Sequence, residues 1–193
     1  PAIVENFKSI YGTSRALVLV PSENLSSEYK KTLSEVCTNG QYIGSHSSEE
    51  VARGRELTPE LKKKRTNRLI GKYYSIASFS TFLKKFLVSR NYIAEKWSNS
   101  LIMVDEAHFL RIQPGKADTF KLYRQMWEFL HSVKNARILL LTGTPIQDKP
   151  TEIASMMNLL LPQDKQLPYG SSFDNEYFKG GEISNVLALK DYI

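Results

Sequence analysis

The sequence predicts an α/β fold in which a mostly parallel sheet is flanked by helices. Two observations support this prediction. First, four apolar runs have the length of buried strands, and each is followed by a turn or helix signal. They are Ala16–Val20, Tyr74–Ala77, Leu101–Val104 and Ile138–Leu141. Second, helical patterns fill the intervals, as is typical of layered α/β domains. These patterns cover Pro1–Tyr11, Glu28–Val36, Phe79–Arg90, Thr119–Lys134 and Thr151–Leu161.

Composition is that of a globular protein large enough to bury its own core. The chain has 193 residues, of which 41% are hydrophobic and 24% charged, which excludes disordered and disulfide-rich classes. Cys37 is the single cysteine, so an internal disulfide is excluded. Without neighbouring histidines or cysteines, a structural zinc site is excluded as well. No membrane-length apolar run or signal-peptide pattern occurs, so we expect an intracellular protein.

Charge is concentrated in one segment. The formal net charge is +6, and the window 53–72 alone holds eight Lys/Arg against two acids, a net of +6. A basic segment on an otherwise neutral chain suggests contact with the phosphates of a nucleic acid. A solvated, lysine-rich loop explains the same charge. The candidate contacts are Lys62, Lys63, Lys64 and Arg65.

Three regions are expected along the chain. Residues 1–162 form the principal domain, and residues 41–72 within it read as a basic insertion or loop. Residues 163–193 begin with many Gly, Pro, Ser and Asp/Asn residues and read as an exit segment.

Adjacent carboxylates follow the third apolar run, in the motif Asp105-Glu106-Ala107-His108. Open α/β sheets bind their ligands at the carboxyl ends of their strands. One carboxylate there could hold Mg²⁺ while its neighbour polarises an attacking water. The alternative is an ordinary charged turn between a strand and a helix.

Hydroxyls and an amide follow the fourth apolar run, in the motif Thr142-Gly143-Thr144-Pro145-Ile146-Gln147. If the third and fourth strands are neighbours, these hydroxyls lie beside the carboxylates. Taken alone, the segment could be a simple β-turn around Pro145.

Together, the two motifs resemble motifs II and III of helicase superfamily 2. The Thr-Gly-Thr-Pro form, followed by Glu152–Pro162, looks most like the Swi/Snf-type remodellers and their viral relatives. Those relatives include the poxvirus nucleoside triphosphate phosphohydrolase and the early transcription factor ATPases of large DNA viruses. Ala16–Ser22 is similar to motif Ia and Tyr74–Phe82 to the neighbourhood of motif Ib. The resemblance implies a RecA-like first helicase lobe.

The resemblance also implies roles for individual residues. Asp105 and Glu106 would be the metal contacts, with Asp105 holding Mg²⁺ through water and Glu106 deprotonating the hydrolytic water. His108 would link the ATP site to Thr142, Thr144 and Gln147. Motifs Ia and Ib grip a nucleic-acid backbone in such proteins, without reading bases. The matching positions are Pro21, Ser22, Ser78, Ser80 and Thr81.

One family motif is missing from the 193 residues. No Gly-x-x-x-x-Gly-Lys-Ser/Thr loop occurs, so the β- and γ-phosphates of ATP would lack their amide cradle and lysine. We therefore expect a lobe that lacks its N-terminal P-loop strand and does not hydrolyse ATP by itself. The partners implied are nucleic acid, DNA rather than RNA, a second helicase lobe and RNA polymerase. The implied location is the nucleus, or the virion and host cytoplasm for a viral protein.

Two other functions remain open from the sequence. A non-catalytic module could bind nucleic acid or a polymerase as a scaffold, although it would not need Asp105, Glu106 and His108 intact. An RNA-unwinding enzyme of the Asp-Glu-Ala-His class would be expected to carry a Ser-Ala-Thr type triplet where this chain has Thr142-Gly143-Thr144.

Overall fold

The computed structural model describes residues 2–11, 15–43, 58–113, 116–146, 149, 151–179 and 182–184. The chain divides into two compact units. The first unit comprises Pro1–Phe82, Asn99–Met103 and Asn135–Leu139. The second unit comprises Leu83–Ser98, Val104–Lys134 and Leu140–Ile193.

A parallel sheet organises the first unit, as predicted. Among the described residues its strands are β1 (Ala16–Val20), β2 (Tyr74–Ser78), β3 (Leu101–Val104) and β4 (Arg137–Leu140), in the spatial order β2-β1-β3-β4. β1 and β2 pair in parallel, with Ala16 opposite Tyr74. Every residue of β1 and β3 is buried, so both strands are continuously apolar rather than alternating. These two strands have the bounds that the sequence predicts.

Two helices flank β1 along the chain, and the second shows how a capping side chain sets where a helix begins. Helix α1 spans Ala2–Tyr11, and helix α2 spans Glu23–Thr32 and continues as a π-helical turn to Cys37. We expected α2 to begin at Glu28. It begins five residues earlier because the Ser22 hydroxyl accepts a hydrogen bond from the backbone N–H of Leu25 at 3.3 Å.

A third helix, α3 (Pro59–Ile70), lies in the segment for which we predicted little regular structure. That prediction is wrong for these residues. Thr58 caps the helix through a 3.3 Å bond from the backbone N–H of Leu61, and Pro59 occupies its first turn. The sequence gives little indication of this helix, because lysines and arginines dominate it and its apolar pattern is weak. Residues 44–57 lie outside the described part, and the insertion itself stays a prediction.

Tyrosine hydroxyls attach α1 to the rest of the first unit. Both Tyr42 and Tyr74 donate to Oε1 of Glu5, and the Tyr42 bond measures 2.9 Å. The Lys8 ammonium donates to the Tyr42 hydroxyl at 2.8 Å and lies 4.7 Å from the centre of the Tyr73 ring. Because Tyr74 opens β2, these contacts fix the helix against the sheet.

Helices dominate the second unit. We predicted one helix over Phe79–Arg90, but the structure has α4 (Phe79–Val88) and α5 (Arg90–Trp97). Ser89 separates them because its backbone is not helical, with φ −141° and ψ 59°. Helix α6 (Ala117–Ser132) is two residues displaced from its predicted bounds. Phe86 of α4 and Phe129 of α6 pack edge to face, with ring centres 5.4 Å apart.

Two short helices and a hairpin after β4 belong to the second unit. Helix α7 (Glu152–Met157) is followed by α8 (Ser171–Tyr177) and a short hairpin of β5 (Phe178–Lys179) and β6 (Glu182–Ile183). Leu167, Phe173 and Tyr177 form one buried cluster with Ala154. Residues 163–177, which we expected to be an exit segment, therefore contribute to the core here. That the segment leads toward a second lobe stays a prediction. No helix in the described ranges has the length and apolar content needed to cross a membrane.

Candidate functional site

The adjacent carboxylates Asp105 and Glu106 lie directly after buried Val104, at the carboxyl end of β3. Glu106 has a left-handed backbone, with φ 51° and ψ 47°, a conformation that costs a non-glycine residue roughly 1–2 kcal/mol. Leu141 holds the turn, since its N–H donates to Val104 O at 2.9 Å and its carbonyl accepts from the N–H of Ala107 at 2.8 Å. Backbone strain maintained by neighbouring structure is typical of functional sites.

His108 connects this turn to the end of β4. Its Nδ1 lies 3.0 Å from Oγ1 of Thr142 and 3.2 Å from Oε2 of Glu106. In the tautomer that carries its hydrogen on Nδ1, the His108 ring would donate to these oxygens. Thr142 Oγ1 also accepts the backbone N–H of Thr144 at 3.2 Å. The structure thus joins Glu106, His108 and Thr142 in one chain of contacts.

The donor set at this edge suits Mg²⁺ with phosphates. Both carboxylates are half-buried, and Asp105 Oδ1 accepts the backbone N–H of Glu106 at 3.0 Å, which fixes the orientation of the Asp105 carboxyl group. Mg²⁺ commonly uses one or two protein carboxylates and completes its shell with waters and substrate phosphates. No group of three or more His, Cys, Asp and Glu side chains able to hold a metal occurs among the described residues. The pair therefore fits a metal–nucleotide better than a metal held by protein alone.

The remaining motif residues differ in how they are placed. The Thr144 side chain is exposed, and that residue contributes only its N–H to the contacts above. Gln147 lies outside the described residues. Phe109, which the sequence did not single out, is 55% exposed, and its ring centre lies 4.5 Å from that of His108.

A second cluster lies at the carboxyl ends of β1 and β2. Ser78 and Thr81 both donate to Oε1 of Glu23, at 2.6 Å and 2.7 Å. Ser78 Oγ also accepts the backbone N–H of Thr81 at 3.3 Å and so caps α4. The hydroxyl bonds from Ser78 and then Thr81 lower the pKa of Glu23 below its usual value, so this carboxyl is ionised at neutral pH.

The other residues predicted to grip a nucleic-acid backbone surround this cluster. Ser80 is exposed, with its hydroxyl 3.4 Å from that of Ser78. Pro21 is half-buried, and exposed Ser22 caps α2. The predicted positions therefore lie together at one end of the strand pair. In this conformation, however, the hydroxyl hydrogens of Ser78 and Thr81 point to a carboxylate.

The predicted basic contacts lie on α3. Lys62, Lys63 and Lys64 are exposed, and Arg65 is half-buried. Sequence reasoning missed Glu23, although an acid directly after the capping Ser22 is a helix-start signal. Nothing local reveals that its partners are Ser78 and Thr81, because those contacts span more than fifty residues.

Comparison with known proteins places this chain in a family. The SNF2-related domain matches residues 3–180. A protein of Acanthamoeba polyphaga mimivirus named as an ATP-dependent RNA helicase is 34% identical over 192 residues, which cover 95% of this chain and 31% of that protein. A protein of Invertebrate iridescent virus 3 named as a helicase is 31% identical, over 76% of this chain and 14% of its own length.

Cellular proteins match more distantly. Chromodomain-helicase-DNA-binding protein 1 of Gallus gallus is 28% identical over 91% of this chain and 9% of its own length. The chain thus spans less than a third of the length of each of these relatives. The match over nearly the whole chain confirms the resemblance drawn from the motifs. This chain belongs to the SNF2-related domain family, in the Swi/Snf-like branch of helicase superfamily 2.

Proposed function

We propose that the chain is the first motor lobe of an ATP-dependent translocase that moves on DNA. The observation that carries this proposal is the contact chain from Glu106 through His108 to Thr142. It joins a candidate base for hydrolysis to the loop after β4. A purely scaffolding module has no chemical need for such an arrangement.

Each residue would make a distinct contribution to hydrolysis. Bound Mg²⁺–ATP supplies the phosphoanhydride bond that is broken. Asp105 would hold the metal, and Glu106 would accept a proton from the attacking water. With a hydrogen on Nδ1, His108 would keep the Glu106 carboxylate oriented. Because Thr142 contacts the same nitrogen, a movement of Glu106 would shift the loop that carries Thr142 and Thr144.

The nucleic-acid contacts would involve the backbone only. Ser22, Ser80 and the hydroxyls of Ser78 and Thr81 would supply donors at the ends of β1 and β2, next to Pro21, and Lys62 to Arg65 would supply positive charge. Such contacts fix position without reading sequence. Thr142-Gly143-Thr144-Pro145 favours movement on DNA over strand separation in RNA. A second helicase lobe and, in viral transcription, an RNA polymerase would complete the machinery, in the nucleus or in the virion and host cytoplasm.

ATP hydrolysis by the complete protein tests this function. We expect turnover with Mg²⁺ that rises on addition of duplex DNA and falls by roughly 10²–10⁴-fold in Glu106→Gln, because a positioned base contributes about that factor. Glu95→Gln, an exposed acid of α5, is the matched control and should retain turnover. The 193-residue chain alone, which contains no phosphate-loop motif, should show none.

Two results would contradict the proposal. Full turnover in Glu106→Gln would show that this carboxylate does not act in hydrolysis. Stimulation by single-stranded RNA and not by duplex DNA would show that the protein acts on RNA.

A further inference from the structure

A groove of about 520 Å³ lies between α2 and α3, and none of the residues to which hydrolysis is assigned lines it. Its volume is within the range in which proteins bind ligands. Lys30 and Lys31 line it from α2, and Lys62 and Lys63 from α3. The sequence singled out the α3 lysines but gave no reason to consider Lys30 and Lys31.

Helical spacing places these side chains on facing surfaces. On α2, Ser27, Lys30, Lys31 and Ser34 recur at intervals of three and four residues, which is one face of a helix. Lys62 and Lys63 share a face of α3 with Thr66 and Asn67 in the same way.

The lining is strongly and locally positive. Against four lysines it has one acid, Glu35, so its net charge is +3 (four minus one). In the described part of the chain, none of the four lysines has a carboxylate within ion-pair distance. Four like charges around one groove repel each other, and a bound polyanion would relieve that repulsion.

The groove offers donors to phosphate oxygens mainly through its four lysines and the Asn67 amide. The Ser27 and Ser34 hydroxyls donate to carbonyls of their own helix, at 3.2 Å to Glu23 O and 3.0 Å to Lys30 O. Ile43 and Pro59 are the few apolar members of the lining. The wall from Ser27 to Ser34 is on the order of 10 Å long at 1.5 Å per residue. Along the axis of a duplex each strand carries a phosphate about every 3.4 Å, so a wall of this length parallel to the axis would span roughly three of them.

We propose that the α2–α3 groove binds the phosphodiester backbone of a nucleic acid, as a contact additional to the Glu23 hydroxyl cluster. This inference rests on the proposed function and extends it to residues that no motif identifies. It also separates the four predicted basic contacts, Lys62 to Arg65, by their position relative to the groove. Lys62 and Lys63 line the groove, whereas Lys64 is exposed on the same helix outside it.

The end of α3 supplies a matched control. Two charge-reversed variants alter the groove, Lys30→Glu/Lys31→Glu and Lys62→Glu/Lys63→Glu. The control, Arg68→Glu/Lys72→Glu, reverses two exposed charges at the end of α3 that lie outside the groove and outside the predicted contacts Lys62 to Arg65. Binding of labelled duplex DNA to the full chain is measured at several salt concentrations. All the substituted residues are exposed or half-buried at the surface, so circular dichroism should show the same folded content in each variant.

We expect each groove variant to weaken DNA binding more than tenfold and to reduce the slope of log affinity against log salt by about 1.8, or 0.9 for each of two phosphate contacts. The control should change the slope by less than half as much. Equal effects in all three variants would overturn the proposal, because net charge and not the groove would then determine binding.

Inorganic tripolyphosphate distinguishes a nucleic-acid backbone from free phosphates. If the groove variants bind tripolyphosphate less tightly but bind DNA as the unaltered chain does, the groove takes small polyphosphates and our assignment is wrong. Failure of the unaltered chain to bind any nucleic acid would instead contradict the proposed function itself.

Discussion

At the residue scale, Thr142 connects the two motifs through one oxygen. Its Oγ1 contacts His108 Nδ1 and the N–H of Thr144, at 3.0 and 3.2 Å. Thr142→Val keeps the shape and removes both bonds. In the complete protein, we expect the KM for ATP to change little and the ratio of DNA-stimulated to basal turnover to fall severalfold. Thr144→Val alters an exposed side chain and should change that ratio less. An unchanged ratio in Thr142→Val would show that this oxygen does not couple the two sites.

The Glu23 carboxylate accepts the hydrogen bonds that the protein would otherwise donate to a phosphate of the nucleic-acid backbone. It accepts the hydroxyl hydrogens of Ser78 and Thr81, and its charge would repel a phosphate. We therefore expect Glu23→Gln to bind duplex DNA more tightly than the unaltered chain, by more than the matched change Glu28→Gln on the same helix. If Glu23 only stabilises the fold, affinity will be unchanged or lower. Fluorescence anisotropy titrations of the three proteins decide between these outcomes.

The candidate residues of the site could be proposed from the sequence because each lies in a short motif at a strand end, and their roles stay predictions. Asp105, Glu106 and His108 follow one strand, and Thr142 follows the next. Glu23 and Phe109 could not be identified in this way. The hydrogen-bond partners of Glu23 are distant in sequence, and the contact of Phe109 is between its ring and that of His108. Neither contact is visible in a local pattern.

At the element scale, strands were easier to predict than helix ends. β1 and β3 are buried on every residue, so their apolar runs begin and end with the strand. Helix ends depend on single side chains and tertiary contacts. Ser22 starts α2 early, Ser89 divides α4 from α5, and α3 carries mostly charged residues.

Asn158, directly after α7, ties the following segment to the helix, and α7 itself ends at Met157, before its predicted limit of Leu161. The buried Asn158 amide donates to Leu167 O at 2.8 Å and accepts from Leu167 N at 2.7 Å, which pins the following segment beside the helix. Asn158→Ala leaves both backbone groups without these partners. Since an unsatisfied buried group costs about 1–3 kcal/mol, we expect roughly 2–4 kcal/mol lower stability in urea unfolding.

Asn67→Ala, at an exposed position of α3, is the control for this change and should be neutral or slightly stabilising. A loss of unfolding free energy below about 0.5 kcal/mol in Asn158→Ala is the range of ordinary surface changes. That result would mean that the two Asn158 hydrogen bonds do not hold Leu167 beside the helix.

At the scale of the whole molecule, buried tyrosines link stability to alkaline pH. Burial raises the pKa of Tyr42, Tyr74 and Tyr123. The hydrogen bonds that Tyr42 and Tyr74 donate to Glu5, and the bond between Tyr123 and Tyr169, raise the pKa further. Folding therefore keeps these phenols protonated, while the unfolded chain loses their protons near pH 10. Their contribution is fully present below about pH 10 and is lost as pH rises further toward the folded values.

We expect the free energy of unfolding to fall above about pH 10, by up to roughly 1.4 kcal/mol per pH unit for each of these tyrosines. Tyr123→Phe should remove about a third of that slope. Tyr92→Phe, at a position 64% exposed, should leave the slope unchanged. Urea unfolding at a series of alkaline pH values, followed by circular dichroism, gives the slope. Tyrosinate absorbance of the folded chain is an independent check, because ionisation of all tyrosines near pH 10 while the fold persists would contradict the assignment.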